Sequence, residues 1–289
     1  MVEDKSIPGR LFSIVNYMLL TVIGLLSFIP FLHVLAGSFT TNAELAAKPF
    51  IIIPEVWSLS AYEFVFSTNT ITRAMLISIL VTLIGTAFSM MLTSLTAYGL
   101  ARKDLDGRRV LMFLVVFTML FQGGLIPTFL VVKELGMIDT YVSLIVPISI
   151  SAFNMIILKN FFQNIPEGLE ESAKIDGSND FGILFRIVLP LSLPAIATIS
   201  LFYAVTYWNT YLNAILYIDD RFKWPIQVWL RQIVVLASGL DGSTNDDVPP
   251  PDQAVKMAVI IVATIPIMLV YPFLQKHFAK GALLGSIKG

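Results

Sequence analysis

Long apolar runs separated by short polar stretches set the pattern of this chain. Read as helices, the runs cover residues 11–36, 74–101, 110–133, 140–162, 192–217 and 254–276. Each supplies the roughly 20 mainly apolar residues that a helix needs to cross a bilayer. The expected fold class is an all-α integral membrane protein with six transmembrane helices, residues 1–289 forming a single domain. The first run follows a short charged stretch and ends near VLAGS, as a secretory signal would. Its apolar core is too long for a signal h-region, so it reads as a retained span.

Composition agrees with the pattern. Of 289 residues, 56% are hydrophobic and 13% charged, about half the charged fraction of a soluble domain. The net charge of −1 says little, because in a membrane protein charge acts by location. Twelve of the 19 Lys and Arg residues fall on the side that takes the N-terminus, the 102–109 and 163–191 loops and the tail, against seven on the other. The cluster ARKDLDGRR lies in a short loop, where the positive-inside rule applies best. Both termini are therefore expected on the cytoplasmic side. With no Cys, disulfides and thiolate metal sites are excluded, and His33 and His277 are too far apart in sequence to suggest a ligand cluster.

No Lys, Arg, Asp or Glu lies deep in any span. Such residues mark proton relays and ion pathways, so a stand-alone ion-coupled transporter, the alternative from another class, is disfavoured. His33 sits near the outer end of the first span and reads as a packed or interfacial residue rather than a relay. No G-x-x-x-x-G-K-[ST] loop is present to hold nucleotide phosphates, and no cluster of nucleophile, base or metal ligands suggests an enzyme. Energy for uphill transport would have to come from another chain. In the second span Gly85, Ser89, Thr93, Ala97 and Ala101 recur every four residues, a ridge of small side chains that lets another helix approach closely.

One charged island interrupts the apolar sequence, EESAKIDGSNDFGILFRIVLP from Glu170 to Pro190. Pro166 suits a first helical position, with Glu167, Glu170 and Glu171 near the positive helix end. Gly177 is placed to end this helix in a left-handed conformation. Ser178 can cap a second helix, whose apolar face is expected at Phe181, Leu184, Phe185 and Val188, with Pro190 stopping it. Local physics leaves two readings, a docking knob for another protein or a solvated interfacial loop.

The spacing of Glu171-Ser172-Ala173, Gly177 and Ile187-Val188-Leu189-Pro190 resembles the EAA signature of ABC importer permeases, with Ser172 for the middle Ala. Thr96–Arg109, Gly123–Thr140, Val188–Asn209 and Phe278–Gly289 are similar to the maltose-type sugar permease subunits. Tyr271–Gly289 resembles the branch serving complex and uronide-containing oligosaccharides. The resemblance implies the type I importer permease fold in a bacterial cytoplasmic membrane and a permease without catalytic site or cofactor of its own. ATP and Mg²⁺ would reside on two ATP-binding subunits. The other implied partners are a homologous second permease (a heterodimer), an extracytoplasmic solute-binding protein and membrane lipid, with no nucleic acid. Residues 163–191 would be the coupling loop, with Glu170, Glu171, Ser172, Ala173, Asp176, Gly177, Ile187, Leu189 and Pro190 as its coupling residues. The tail, 277–289, would touch the ATPases through Ser286, Lys288 and Gly289.

The fifth span carries aromatic and amide side chains suited to sugar rings and hydroxyls: Tyr203, Tyr207, Trp208, Asn209, Tyr211 and Asn213. The same residue types also form interfacial belts and pack between helices. The outer segment 218–253, with LDGSTNDDVPPPDQ, has no pattern demanding regular structure. By resemblance it reaches the binding protein; otherwise it is a connector.

Overall fold

The computed structural model of the protein describes residues 6–67, 69–121, 123–237 and 252–286. For 236, 237, 271 and 273–286 it gives the backbone course alone. Among the described residues the secondary structure is helical throughout, without strands. The helices are α1 (Ile7–Ser38), α2 (Asn42–Ala47), α3 (Ser60–Ser67), α4 (Asn69–Ala101), α5 (Arg108–Leu120), α6 (Leu125–Glu134), α7 (Val142–Ile145) and α8 (Ala152–Phe162). They continue as α9 (Glu167–Ile175), α10 (Asp180–Ile183), α11 (Leu189–Leu191), α12 (Leu193–Trp208), α13 (Leu212–Tyr217), α14 (Ile226–Ala237) and α15 (Gln253–Ser286). The chain forms two compact units, Met1–Asn69 with Leu230–Thr264 and Thr70–Trp229 with Ile265–Gly289.

Three of the expected spans are continuous: α1, α4 and Gln253–Val270 of α15. The other three are bent pairs, which brings the total to as many as six by length and composition. The expected third span breaks between Leu120 and Leu125, where Phe121 turns extended and Gly124 takes φ +85°, ψ 176°, a backbone region open only to glycine. The expected fourth span bends by 55° between Val142–Ile148 and Ala152–Phe162. Ser151 restarts it, its hydroxyl accepting the Asn154 N–H. The expected fifth breaks again after Trp208, before α13. At the outer segment the expectation is corrected: α14 makes residues 226–237 helical, while 238–251 lie outside the described residues. The helix of the sixth span likewise runs on to Ser286.

In the first unit, every side chain of α1 from Leu11 to Pro30 is exposed, as befits a span facing lipid or another subunit. Beyond its end, Thr41 caps α2. The buried Glu44 carboxylate accepts hydrogen bonds from Thr40 Oγ1 (2.6 Å) and from the Glu55 and Val56 N–H groups (2.9 and 3.0 Å). These donors, the Thr40 hydroxyl first, hold its pKa down at about 2. His33 stacks on Phe50 at 4.7 Å, and its Nδ1 accepts the Ile51 N–H at 3.1 Å, so it is a packed residue.

The second unit is built on the small-residue ridge of α4. Gly85 faces the ring of Tyr207, and Ser89 and Thr93 lie at 2.7 Å from the hydroxyls of Tyr207 and Tyr203. The Tyr203 hydroxyl also accepts the Ser151 N–H (3.0 Å), and the Tyr207 hydroxyl reaches the Ile145 carbonyl (3.1 Å). The ridge thus seats two tyrosines from α12 against α4 and ties both to the bent α7–α8 pair.

Candidate functional site

The charged island folds into an elbow. Glu167 opens α9 with Pro166 one residue before it, at the cap rather than inside. The helix ends in a Schellman motif, with Ser178 N–H bonded to the Ala173 carbonyl (2.9 Å) and Gly177 N–H to the Lys174 carbonyl (3.0 Å). Gly177 sits at φ +84°. The second helix is capped by Asn179, whose side chain accepts the Gly182 N–H at 2.7 Å, and not by Ser178 as expected. The apolar face also differs from the expected one. Ile183, Leu184 and Val188 are buried, whereas Phe181 is 66% and Phe185 53% exposed. A π-helical turn at Leu184–Val188 carries the chain into α11, an irregularity frequent at functional sites. Pro190 does not stop the helix. The chain bends by 88° at Ser192 before α12.

Arg102, just past the end of α4, braces this elbow. Its Nη1 donates to Glu170 of α9 (2.9 Å), to Asp180 at the start of α10 (3.3 Å) and to the Tyr98 hydroxyl (3.2 Å). Its Nε and Nη2 clasp Asp104 bidentately, both at 3.0 Å. The clasp raises the Arg102 pKa and holds that of Asp104 down at about 2. The contribution of Asp104 is therefore present above its ordinary value of about 3.9 and is lost only as pH falls toward 2. Lys103 pairs with Glu167 (2.6 Å), and Gln163 Nε2 donates to the Ala101 carbonyl (3.2 Å). Between these groups lies a cleft of about 320 Å³ lined by Arg102, Glu167, Glu170, Glu171 and Lys174.

The elbow thus divides its residues by role. Glu170 and Ala173 face the protein, and Ile187 and Leu189 are half-buried. Glu171, Ser172, Asp176, Gly177 and Pro190 are exposed, with Ile175 the most exposed apolar residue of the elbow at 87%. Arg102 is the member that sequence reasoning missed. The signal was the opposite charge of ARKDLDGRR and EGLEES, two segments about 60 residues apart. Replacing Arg102 by Gln removes the brace on both arms. On the coupling role that the resemblance implies, uptake is expected to fall roughly two- to fivefold, the scale of a partly exposed ion-pair network. Comparing transport per ATP hydrolysed between wild type and variant checks this.

The aromatic set of the fifth span is split as well. Tyr203, Tyr207 and Trp208 are buried, and both tyrosine hydroxyls are engaged in the interhelical seam described above. For these two the packing role is the one the structure displays. Asn209 is exposed, donating one amide N–H to the Val205 carbonyl (2.9 Å), and Tyr211 and Asn213 are half-buried. Lys288 and Gly289 lie outside the described residues, and of Ser286 only the backbone is described.

As many as six apolar spans with a braced, charged elbow fit a membrane transport component driven from outside itself. The chain belongs to the family described as the binding-protein-dependent transport system inner membrane component, whose model matches residues 6–283. It is 65% identical over 284 residues to the polygalacturonan/rhamnogalacturonan transport system permease protein YtcP of Bacillus subtilis (strain 168), covering 97% of this chain and 99% of that one. It is 53% identical to Protein LplC of the same organism, covering 97% and 96%. Among solved structures it is similar to a chain from the crystal structure of a bacterial ABC transporter involved in the import of the acidic polysaccharide alginate. That match has TM-score 0.86 and 32% identity, over 94% of this chain and 98% of that one. The protein is thus the permease component of a carbohydrate ABC importer in the inner membrane. It works with other ABC subunits and a binding protein, and ATP hydrolysis belongs to a separate subunit.

Proposed function

We propose that the chain is one of two similar but non-identical permease subunits of an importer for uronide-containing oligosaccharides. Two ATP-binding subunits, holding ATP and Mg²⁺, would complete it, and an extracytoplasmic binding protein would deliver the sugar. The observation that carries the coupling role is the Arg102-braced elbow, bent at Gly177 and exposing Glu171, Asp176 and Ile175. ATP binding closes the ATPase pair, the elbow follows, and the permeases shift from inward- to outward-facing. The nucleotide drives this only through its different affinity for the two states. Ser286, Lys288 and Gly289 provide a second contact with the ATPases, and Asn209, Tyr211 and Asn213 offer polar groups to the sugar path. The substrate class is supported by the pectic and alginate systems to which the chain is similar. The test is uptake of oligogalacturonides by the reconstituted complex with its binding protein. Uptake that stops without ATP supports the reading; uptake by this chain alone, unaffected by ATP depletion, overturns it.

A further inference from the structure

We propose that the turn at 219–224, with Arg73 and Trp229, forms a subsite for a singly charged uronide residue, on the membrane face opposite the elbow. The inference rests on the substrate class proposed above. A cavity of about 430 Å³ opens here, lined among others by Arg73, Arg221, Phe222, Trp224 and Trp229. That size lies within the range of small-ligand sites. Arg73 belongs to the first turns of α4, while the elbow is braced just past its other end. The 28 residue-to-residue rises from Arg73 to Ala101 span about 42 Å of helix, more than the roughly 30 Å hydrocarbon core.

The pocket is rigidly framed. Asp139, held at φ +59°, accepts the Asp220 N–H on one carboxylate oxygen (3.0 Å) and Lys223 Nζ on the other (2.6 Å). Asp220 caps the turn through the Phe222 N–H (2.9 Å). Trp224 Nε1 donates to the Ile218 carbonyl (3.0 Å), which leaves only its ring faces for a ligand. The Ile226 N–H is taken by Ser78 of α4 (2.8 Å).

On this frame the two guanidinium groups are poised and unpaired. Arg73 lies 4.6 Å from the Phe222 ring centre and Arg221 5.6 Å from that of Trp224. Neither forms an ion pair among the described residues. A guanidinium lying over a ring still presents edge N–H groups that match a carboxylate in pairs. Trp224 and Trp229 meet at 5.7 Å and 60°, making an aromatic corner for the C–H face of a sugar ring. Asp219 and Asp220 also line the cavity, so its charge is balanced. That balance disfavours a polyanion and suits one carboxylate accompanied by hydroxyls, which the aspartates can accept. An interfacial aromatic belt would explain the tryptophans but not two unpaired arginines converging on the same cavity.

The test uses the complete transporter with its binding protein in proteoliposomes. It compares trigalacturonate with its methyl ester, which has the same hydroxyls and no charge. Replacing Arg73 and Arg221 together by Gln is expected to raise the half-saturating concentration for the acid about tenfold, the value of one charge-assisted contact. Uptake of the ester and basal ATPase activity stay unchanged. An equal loss for acid and ester overturns the subsite and assigns the arginines to the binding protein or the fold, and no loss for either overturns it too. Should wild type import neither sugar, the substrate class fails by itself. The pocket is then judged by quenching of tryptophan fluorescence of the purified complex with digalacturonate. Quenching that disappears in the double variant supports the site, and quenching that persists or never occurs overturns it.

Discussion

Gly177→Val is expected to abolish most coupled uptake while leaving the assembled complex intact. The residue sits at φ +84° and closes α9 through two backbone hydrogen bonds. A Cβ added there meets nothing within 4 Å, so the cost is conformational rather than steric crowding. For an L-residue the left-handed region costs roughly 1–2 kcal/mol, and more for a β-branched one. An exposed hinge has little surrounding structure to absorb that strain, so the elbow is expected to change its angle instead. Uptake should fall at least about tenfold on this account, one decade for each 1.4 kcal/mol. Asn visits the left-handed region readily, so Gly177→Asn should keep most of the activity. The measurement is sugar imported per ATP hydrolysed. Equal values for Val, Asn and wild type would detach the bend from coupling.

The largest effect on stability is expected at Gly85. A Cβ there would stand 2.8 Å from Cε1 and Cζ of Tyr207 and 2.9 Å from Cδ1. The ring cannot swing aside, because it is 1% exposed and its hydroxyl is held by Ser89 and the Ile145 carbonyl. Overpacking of this kind costs about 1–3 kcal/mol, and Val exceeds Ala. Gly85→Val should therefore lower the yield and the melting temperature of the solubilised complex. Gly85→Ala should be milder and should lose much of its penalty when Tyr207 is shortened to Leu, since residues in contact do not add independently. Thermal unfolding followed by size-exclusion chromatography reads both.

The six apolar runs, the α4 ridge and the bend at Gly177 were legible because each is a local pattern of hydropathy, side-chain size or backbone freedom. The breaks near residues 121–124, 149–151 and 192 were not, since a hydropathy run stays apolar through a bend. The elbow's buried stripe at Ile183, Leu184 and Val188 lies beside the expected one. An α-helical count places Phe181 and Phe185 inward, and neither they nor the π turn at 184–188 carried a mark in the sequence. Asn179 took the cap that Ser178 could equally have filled. In the site, the motif spacing marked the exposed surface of the elbow, but the brace from Arg102 is a contact between distant segments, which periodicity cannot reveal. Tyr203 and Tyr207 show the same limit: their chemistry suits sugars, and only the partners Ser89 and Thr93 show that packing has taken it.

The central claim, that the elbow takes force from the ATP-binding subunits, can be tested on a chain that contains no Cys. Ile175→Cys places a single thiol on the exposed tip of the elbow, where the native side chain is 87% exposed. A short bifunctional reagent should then link it to an ATP-binding subunit, with a yield that changes on adding ATP, and the link should halt uptake. Cross-linking that is absent, or that leaves ATP-driven uptake at its full rate, would contradict the account.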